Sequence, residues 1–114
     1  MPKVLISDAM DNVAEKILAS NNIEVDVITD FTSEELIKNI QNYDGLIVRS
    51  ATKVTKEVID NAKNLKIIGR AGAGVDNIDL NSAKAKNIIV MNTPGGNTNA
   101  TAEHTLALLL SLSR

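Results

Sequence analysis

The chain has 114 residues, a formal net charge of −2 and no cysteine. That length allows one domain at most, and the near-neutral charge sets up no strong field toward nucleic acid or anionic lipid. Without cysteine there is no disulfide, thiolate metal site or cysteine nucleophile, and with only one histidine, His104, a histidine-based metal cluster or triad lacks partners.

The first ten residues hold only three consecutive apolar side chains, Val4 to Ile6, before Ser7. That is far short of a signal-peptide core, and the longest apolar run, Leu106 to Leu110, is too short to span a bilayer. The expectation is a soluble cytoplasmic protein with no membrane or nucleic-acid partner. One Phe, one Tyr and no Trp make its core aliphatic.

In chain order, Val4-Leu5-Ile6 reads as a strand buried on both faces. Asp11 to Ser20 follows as an amphipathic helix with Val13, Ile17 and Leu18 on one stripe. Ile23-Glu24-Val25-Asp26-Val27 alternates apolar with acidic, as an edge strand does. Thr32-Ser33-Glu34-Glu35 forms a capping box ahead of Leu36, Ile37 and Ile40. Leu46-Ile47-Val48 is a second buried strand, and Lys56 to Asn64 a helix carrying Val58, Ile59 and Ala62. Ile67-Ile68 is a third buried strand, followed by a short helix after Asp79. Ile88 to Met91 is a fourth, and a longer helix begins after Thr98 or Asn99. This alternation predicts an α/β fold: a flavodoxin-like, doubly wound, parallel five-stranded sheet of order 2-1-3-4-5, with helices on both faces.

Ligands of open parallel sheets bind beyond the carboxyl ends of the strands. The loops there hold Ser7-Asp8, then Arg49 to Lys53, then Arg70 to Gly74, and finally Asn92 to Asn97. Guanidinium groups, hydroxyls, amides and glycine-exposed N–H groups favour a small anion with carboxylate or phosphate oxygens.

The segment "GRAGAGVDNID", Gly69 to Asp79, resembles a dinucleotide fingerprint only superficially. From Gly72 it reads Gly-Ala-Gly-Val-Asp-Asn, so Asn77 stands where Gly or Ala is needed. Near Met91-Asn92 the ribose-binding acid is missing as well. The glycines alone serve equally for a tight turn. Arg49 and Arg70, at adjacent strand ends, would repel each other without an anion or a carboxylate between them; Asp8 and Asp76 are the carboxylates within reach. His104 falls inside a helix and reads as a packing or surface residue, and Glu103, in its first turn, as an acid suited to a helix amino terminus. The lysines at 53, 56, 63, 66, 84 and 86 read as a solvated surface.

Three stretches, "DGLIVRSATKVT", "IIGRAGAGVDNIDL" and "VMNTPGGNTNATAEHTLALLLSLSR", together resemble the amino-terminal portion of the D-isomer-specific 2-hydroxyacid dehydrogenase family. The Arg49-Ser50 and Arg70 pair points to its phosphoglycerate-oxidising branch. The resemblance covers essentially the whole chain and implies a two-domain enzyme using NAD. That enzyme would oxidise 3-phospho-D-glycerate to 3-phosphohydroxypyruvate on the way to L-serine. Residues 1–98 would be its substrate-binding domain, incomplete relative to the family, and 99–114 the helix leading into the NAD-binding domain. Gly72, Ala73 and Gly74 would offer backbone N–H groups to the carboxylate of a small anionic 2-hydroxy acid. Arg49, Ser50 and Arg70 would face its phosphate. Ala73, where many relatives carry Thr or Ser, is the position the resemblance sets against NAD.

The family's own G-x-G-x-x-G and its catalytic Arg, Glu and His come later than residue 114, so the chain alone is expected to be inactive and to hold no NAD. The alternative is a non-catalytic flavodoxin-like module binding a small anion or a partner. The leucines between residues 100 and 113 wrap too far round that helix for one stripe. They predict that it folds back onto the sheet, pairs with a second copy as a homodimer, or does both.

Overall fold

The computed structural model describes residues 2–72, 74–94 and 97–112. Among them five strands alternate with five α-helices: β1 (Lys3–Ile6), α1 (Val13–Ala19), β2 (Glu24–Val27), α2 (Ser33–Asn39), β3 (Gly45–Val48), α3 (Lys56–Asp60), β4 (Ile67–Ala71), α4 (Leu80–Ala85), β5 (Ile89–Thr93) and α5 (Thr98–Leu112). A 3₁₀ turn, Ile40–Asn42, closes α2. All strand pairs are parallel and their order is β2-β1-β3-β4-β5, the flavodoxin-like arrangement that the alternation predicts.

Alternation of side chains along each strand sends residues to two cores. On one face Leu5, Leu46, Val48 and Ile68 meet Leu36 of α2, Val58 and Ile59 of α3 and Ala83 of α4. On the other, Val4, Ile6, Ile47 and Ile67 meet Ala14 and Leu18 of α1 and Ala102 and Leu109 of α5. These strand residues are essentially inaccessible to solvent, and each contributes about 1.5–3 kcal/mol through burial, whereas Val27 and Ile89 of the two edge strands are exposed. Strand β2 is the edge that its acidic alternation implies. Its Asp26 accepts a hydrogen bond from the Tyr43 hydroxyl at 2.7 Å.

Helix starts follow their caps. Thr32 and Glu35 form the full capping box of α2, and Asp79 accepts from Ser82 N at α4. At α5 the Asn97 side chain accepts from Ala100 N, so the helix begins at Thr98, slightly earlier than expected, and Glu103 lies beyond its first turn. Helices α1 and α3 are shorter than their apolar patterns suggest, and α3 stops at Asp60.

Helix α5 folds back onto β4, beside α1. Thr101, Ala102, Thr105 and Leu109 are buried, and Leu106 and Leu108 pack partly against the same core, while Leu110 is exposed. Of the outcomes expected for this helix, the structure contains the intramolecular one. Gly69 makes the approach possible: it belongs to β4, not to a turn, and an added Cβ would meet Thr105 Oγ1 at 3.0 Å and Thr101 Cγ2 at 3.1 Å.

Two strands run further than their apolar cores. Strand β4 continues through Arg70 and Ala71, and β5 through Asn92 and Thr93, because these residues pair with each other in register. A backbone ladder is indifferent to side-chain polarity, so the hydrophobic run underestimates its length. Arg70 and Asn92, expected in loops, are therefore strand residues.

Candidate functional site

The loop after β3 is fixed by its neighbours on both sides. From the end of β1, Asp8 Oδ2 accepts from the backbone N–H of Arg49 at 2.7 Å and of Thr52 at 3.1 Å. Its Oδ1 accepts from the Thr52 hydroxyl at 2.6 Å, and Ser7 Oγ lies 3.0 Å from the same hydroxyl. From the segment after β4, Asn77 Nδ2 donates to the carbonyl of Arg49 at 2.8 Å and of Thr52 at 2.7 Å. Val54 and Ile78 form a parallel bridge just beyond. Asp8 and Asn77 are both buried, which is tolerable because the Asp8 carboxylate and the Asn77 NH₂ replace lost water contacts with protein ones.

This corrects one expectation. Asp8 does not lie between two guanidinium groups; its carboxylate is spent on backbone N–H groups and a hydroxyl. Among the described residues the exposed Arg49 guanidinium makes no hydrogen bond or ion pair, and the Ser50 hydroxyl is likewise free and exposed.

Arg70 behaves differently. Its side chain is nearly buried; Nη1 donates to the Gly74 carbonyl at 2.6 Å, and Nη2 lies 3.7 Å from Asp76 Oδ1. Of the two candidate counter-charges, Asp76 is thus the one the structure pairs with an arginine. The Arg70 Nε is buried without a partner. Gly72 and Gly74 rest against this guanidinium: Cβ atoms there would stand 3.6 Å and 3.5 Å from Nη1. Gly74 has φ of +122°, a conformation costly for any side chain. Asn92 Nδ2 donates to the Gly72 carbonyl at 3.3 Å, so the two glycines are held from β5 and from β4. Ala73, Gly95 and Gly96 lie outside the described residues.

Val48 pairs with Arg70 in the sheet, so the Arg49-Ser50 loop and the Gly72–Gly74 segment leave neighbouring strand ends. The structure therefore brings Arg49, Ser50, Arg70, Gly72 and Gly74 to the same edge of the sheet, with one guanidinium free and one engaged. His104 is exposed on α5. Among the described residues no three His, Cys, Asp or Glu side chains group as a metal ion requires, and no helix is long and apolar enough to cross a membrane.

Sequence reasoning singled out Asn77 only for spoiling a fingerprint and passed over Thr52 as a loop residue. The one available signal was the polar pair Asp76-Asn77 directly before the apolar Ile78. Lys86 is exposed, as expected, but it also donates to the carbonyls of Ile59, Asp60 and Ala62 at 2.9, 3.3 and 3.1 Å, which the sequence did not announce.

Comparison with known proteins gives a consistent picture. The family model described as D-isomer specific 2-hydroxyacid dehydrogenase, catalytic domain, matches residues 4–110. The chain is 52% identical over 112 residues to D-3-phosphoglycerate dehydrogenase of Archaeoglobus fulgidus, covering 98% of this chain and 21% of that protein. It spans about a fifth of the length of the curated relatives it matches. Among solved structures, the PH0520 protein of Pyrococcus horikoshii superposes with a TM-score of 0.78 at 38% identity, over 98% of this chain and 33% of that one. The NAD⁺-bound 3-phosphoglycerate dehydrogenase of Entamoeba histolytica superposes with a TM-score of 0.75 at 37% identity, over 95% and 38%.

Proposed function

Because the chain belongs to the D-isomer specific 2-hydroxyacid dehydrogenase family, we propose that it forms the substrate-binding part of an NAD-dependent oxidoreductase. The reaction would convert 3-phospho-D-glycerate to 3-phosphohydroxypyruvate, toward L-serine. The observation that carries this reading is the 52% identity, across nearly the whole chain, to a protein named D-3-phosphoglycerate dehydrogenase.

In this reading Gly72, Ala73 and Gly74 present backbone N–H groups to the substrate carboxylate. Arg49, Ser50 and Arg70 face the phosphate. The free guanidinium of Arg49 and the absence of side chains at Gly72 and Gly74 support the assignment. A guanidinium presents paired donors to carboxylate or phosphate oxygens, and bare backbone lets an anion approach N–H groups closely.

NAD, when bound in such an enzyme, takes up the hydride. The residues of this chain do not fit a dinucleotide: Asn77 replaces the third glycine, and its amide is committed to two carbonyls. Strand β5 ends in Asn92 and Thr93, where the ribose would need an acid. The work of these residues is to bind and orient the substrate. The 114-residue chain by itself is proposed to be catalytically silent. Association of two copies through residues 100–113 belongs to the same proposal, supported by Leu110, which is exposed on the outer side of α5.

The test is a titration followed by amide chemical shifts. 3-Phospho-D-glycerate should perturb Arg49, Arg70 and Gly74 most, with a dissociation constant in the millimolar range, roughly −4 kcal/mol. Shifts confined to distant lysines would sink the reading. NADH formed by the chain alone from 3-phosphoglycerate and NAD would refute its silence.

A further inference from the structure

We propose that Asn77 is a positioning residue that sets the spacing between the two halves of the site. The proposal rests on the functional reading above, in which the Arg49-Ser50 loop and the Gly72–Gly74 segment hold opposite ends of one ligand.

The geometry is unusually complete. An amide NH₂ carries two protons, and Asn77 spends both on the carbonyls of Arg49 and Thr52, at 2.8 and 2.7 Å. Asp8 takes the backbone N–H groups of the same two residues. Arg49 is therefore pinned at its N–H and at its C=O by two different elements, and only its side chain is left to move. Asn77 sits three residues beyond Gly74, and its own carbonyl accepts from Val54 N at 2.9 Å. Asp79 N donates to the Val54 carbonyl, also at 2.9 Å. The segment that carries the glycines is thus the one that grips the arginine loop.

Few other residues fit here. Aspartate would turn an oxygen toward two carbonyl oxygens. Glutamine is one methylene too long for a closed site, and the glycine of a dinucleotide fingerprint would leave two carbonyls unpaired. The Asn77 Oδ1 is buried without a hydrogen-bond partner, so the acceptor end of the side chain contributes nothing. Its NH₂ end is what the site uses.

A ligand with two anionic ends gains over either end alone only when the protein holds both receptors at the matching distance. Asn77 would therefore act on preference for a small 2-hydroxy acid bearing a second anionic group, not on the affinity of either end separately.

The experiment titrates the chain and its Asn77→Ser and Asn77→Ala variants with inorganic phosphate, D-glycerate and 3-phospho-D-glycerate, read by amide chemical shifts. The wild-type chain should bind 3-phosphoglycerate at least about tenfold more tightly than phosphate or glycerate. The variants should keep the phosphate affinity and lose that advantage. An advantage that survives both substitutions overturns the positioning role alone. So does a parallel loss of all three affinities, or failure of both variants to fold, either of which makes Asn77 merely structural. A wild-type chain with no preference for the two-ended ligand overturns the functional reading, and this inference with it.

Discussion

Gly69 lies directly beneath Thr105: a Cβ at Gly69 would stand 3.0 Å from the threonine hydroxyl, 3.1 Å from Thr101 Cγ2 and 3.3 Å from Met91 Cε. The methionine can swing aside, but threonines in a helix are restricted at χ1, so α5 itself must shift. Gly69→Ala should lower stability by about 1–3 kcal/mol, the usual cost of overpacking, as measured by urea unfolding. An unchanged midpoint would show that the helix yields freely.

Thr105 carries a second consequence. Its hydroxyl is buried and has no hydrogen-bond partner. Valine has nearly the same shape without the polar group. Thr105→Val should stabilise the protein by about 1 kcal/mol, because an unsatisfied hydroxyl pays desolvation without return. The measure is the midpoint of thermal or urea unfolding; a loss of stability would mean that the hydroxyl finds a partner.

Lys86 closes the carboxyl end of α3 from the residue after α4, reaching the carbonyls of Ile59 and Asp60 in the helix and of Ala62 just beyond it. Those carbonyls would otherwise rely on water. Lys86→Met keeps the apolar stem and removes the donors. It should cost about 1–2 kcal/mol by urea unfolding, the low end for hydrogen bonds from a charged group, because Lys86 is exposed. Lys86→Arg should cost less, and equal effects of the two changes would argue against the carbonyl contacts.

Alkaline pH should unfold the protein partly through Tyr43. Burial first, and then its hydrogen bond to the Asp26 carboxylate, hold the phenol above its ordinary value of 10.0. Below pH 10 both folded and unfolded states are protonated and the stabilisation is intact. As pH rises through 10 the unfolded state ionises first, and the contribution is lost progressively toward the higher folded value. The fall approaches about 1.4 kcal/mol per pH unit. Lys3, beside Glu24 and Asp26, is also held above its ordinary value, so its contribution likewise falls as pH rises. Tyr43→Phe should flatten the tyrosine part of the slope and leave the lysine part, as read from urea midpoints between pH 9 and 11.

Asp76 competes for Arg70. Its carboxylate is 3.7 Å from the guanidinium and its side chain is 92% exposed, so the pair is weak and screened. Asp76→Asn should raise phosphate affinity about two- to fivefold at low salt, and less at high salt. Titration at two ionic strengths checks this, and a decrease would mean that Asp76 orients Arg70 for the anion.

Much of this fold was legible in the sequence because periodicity carries it. Val4–Ile6, Leu46–Val48 and Ile67-Ile68 could only be strands covered on both faces, and the acids of Glu24 and Asp26 marked an edge. The site was legible only as a set of loops. Arg70 and Asn92 were misplaced because hydrogen-bond ladders extend past apolar runs. Gly69 read as part of a turn because nothing in its neighbours announces a helix that begins only at Thr98. The grip of Asp8 and Asn77 on one loop escaped notice for a related reason. It joins residues 41 to 44 positions apart on one side and 25 to 28 on the other, and no local pattern encodes a contact at that range.

The return of α5 to the sheet also has a consequence for how the chain is made. Val4 and Ile6 leave the ribosome well before Ala102 and Leu109, which cover the same core. Until then one side of the sheet is shielded only by α1, and Ile47 and Ile67 join an open apolar surface. Contacts of such long sequence separation slow folding, and the waiting surface is the kind that sticks to other chains. The nascent chain therefore keeps an aggregation-prone surface open until its fifth helix arrives. A ribosome that pauses before Thr101 prolongs the interval in which it is most exposed.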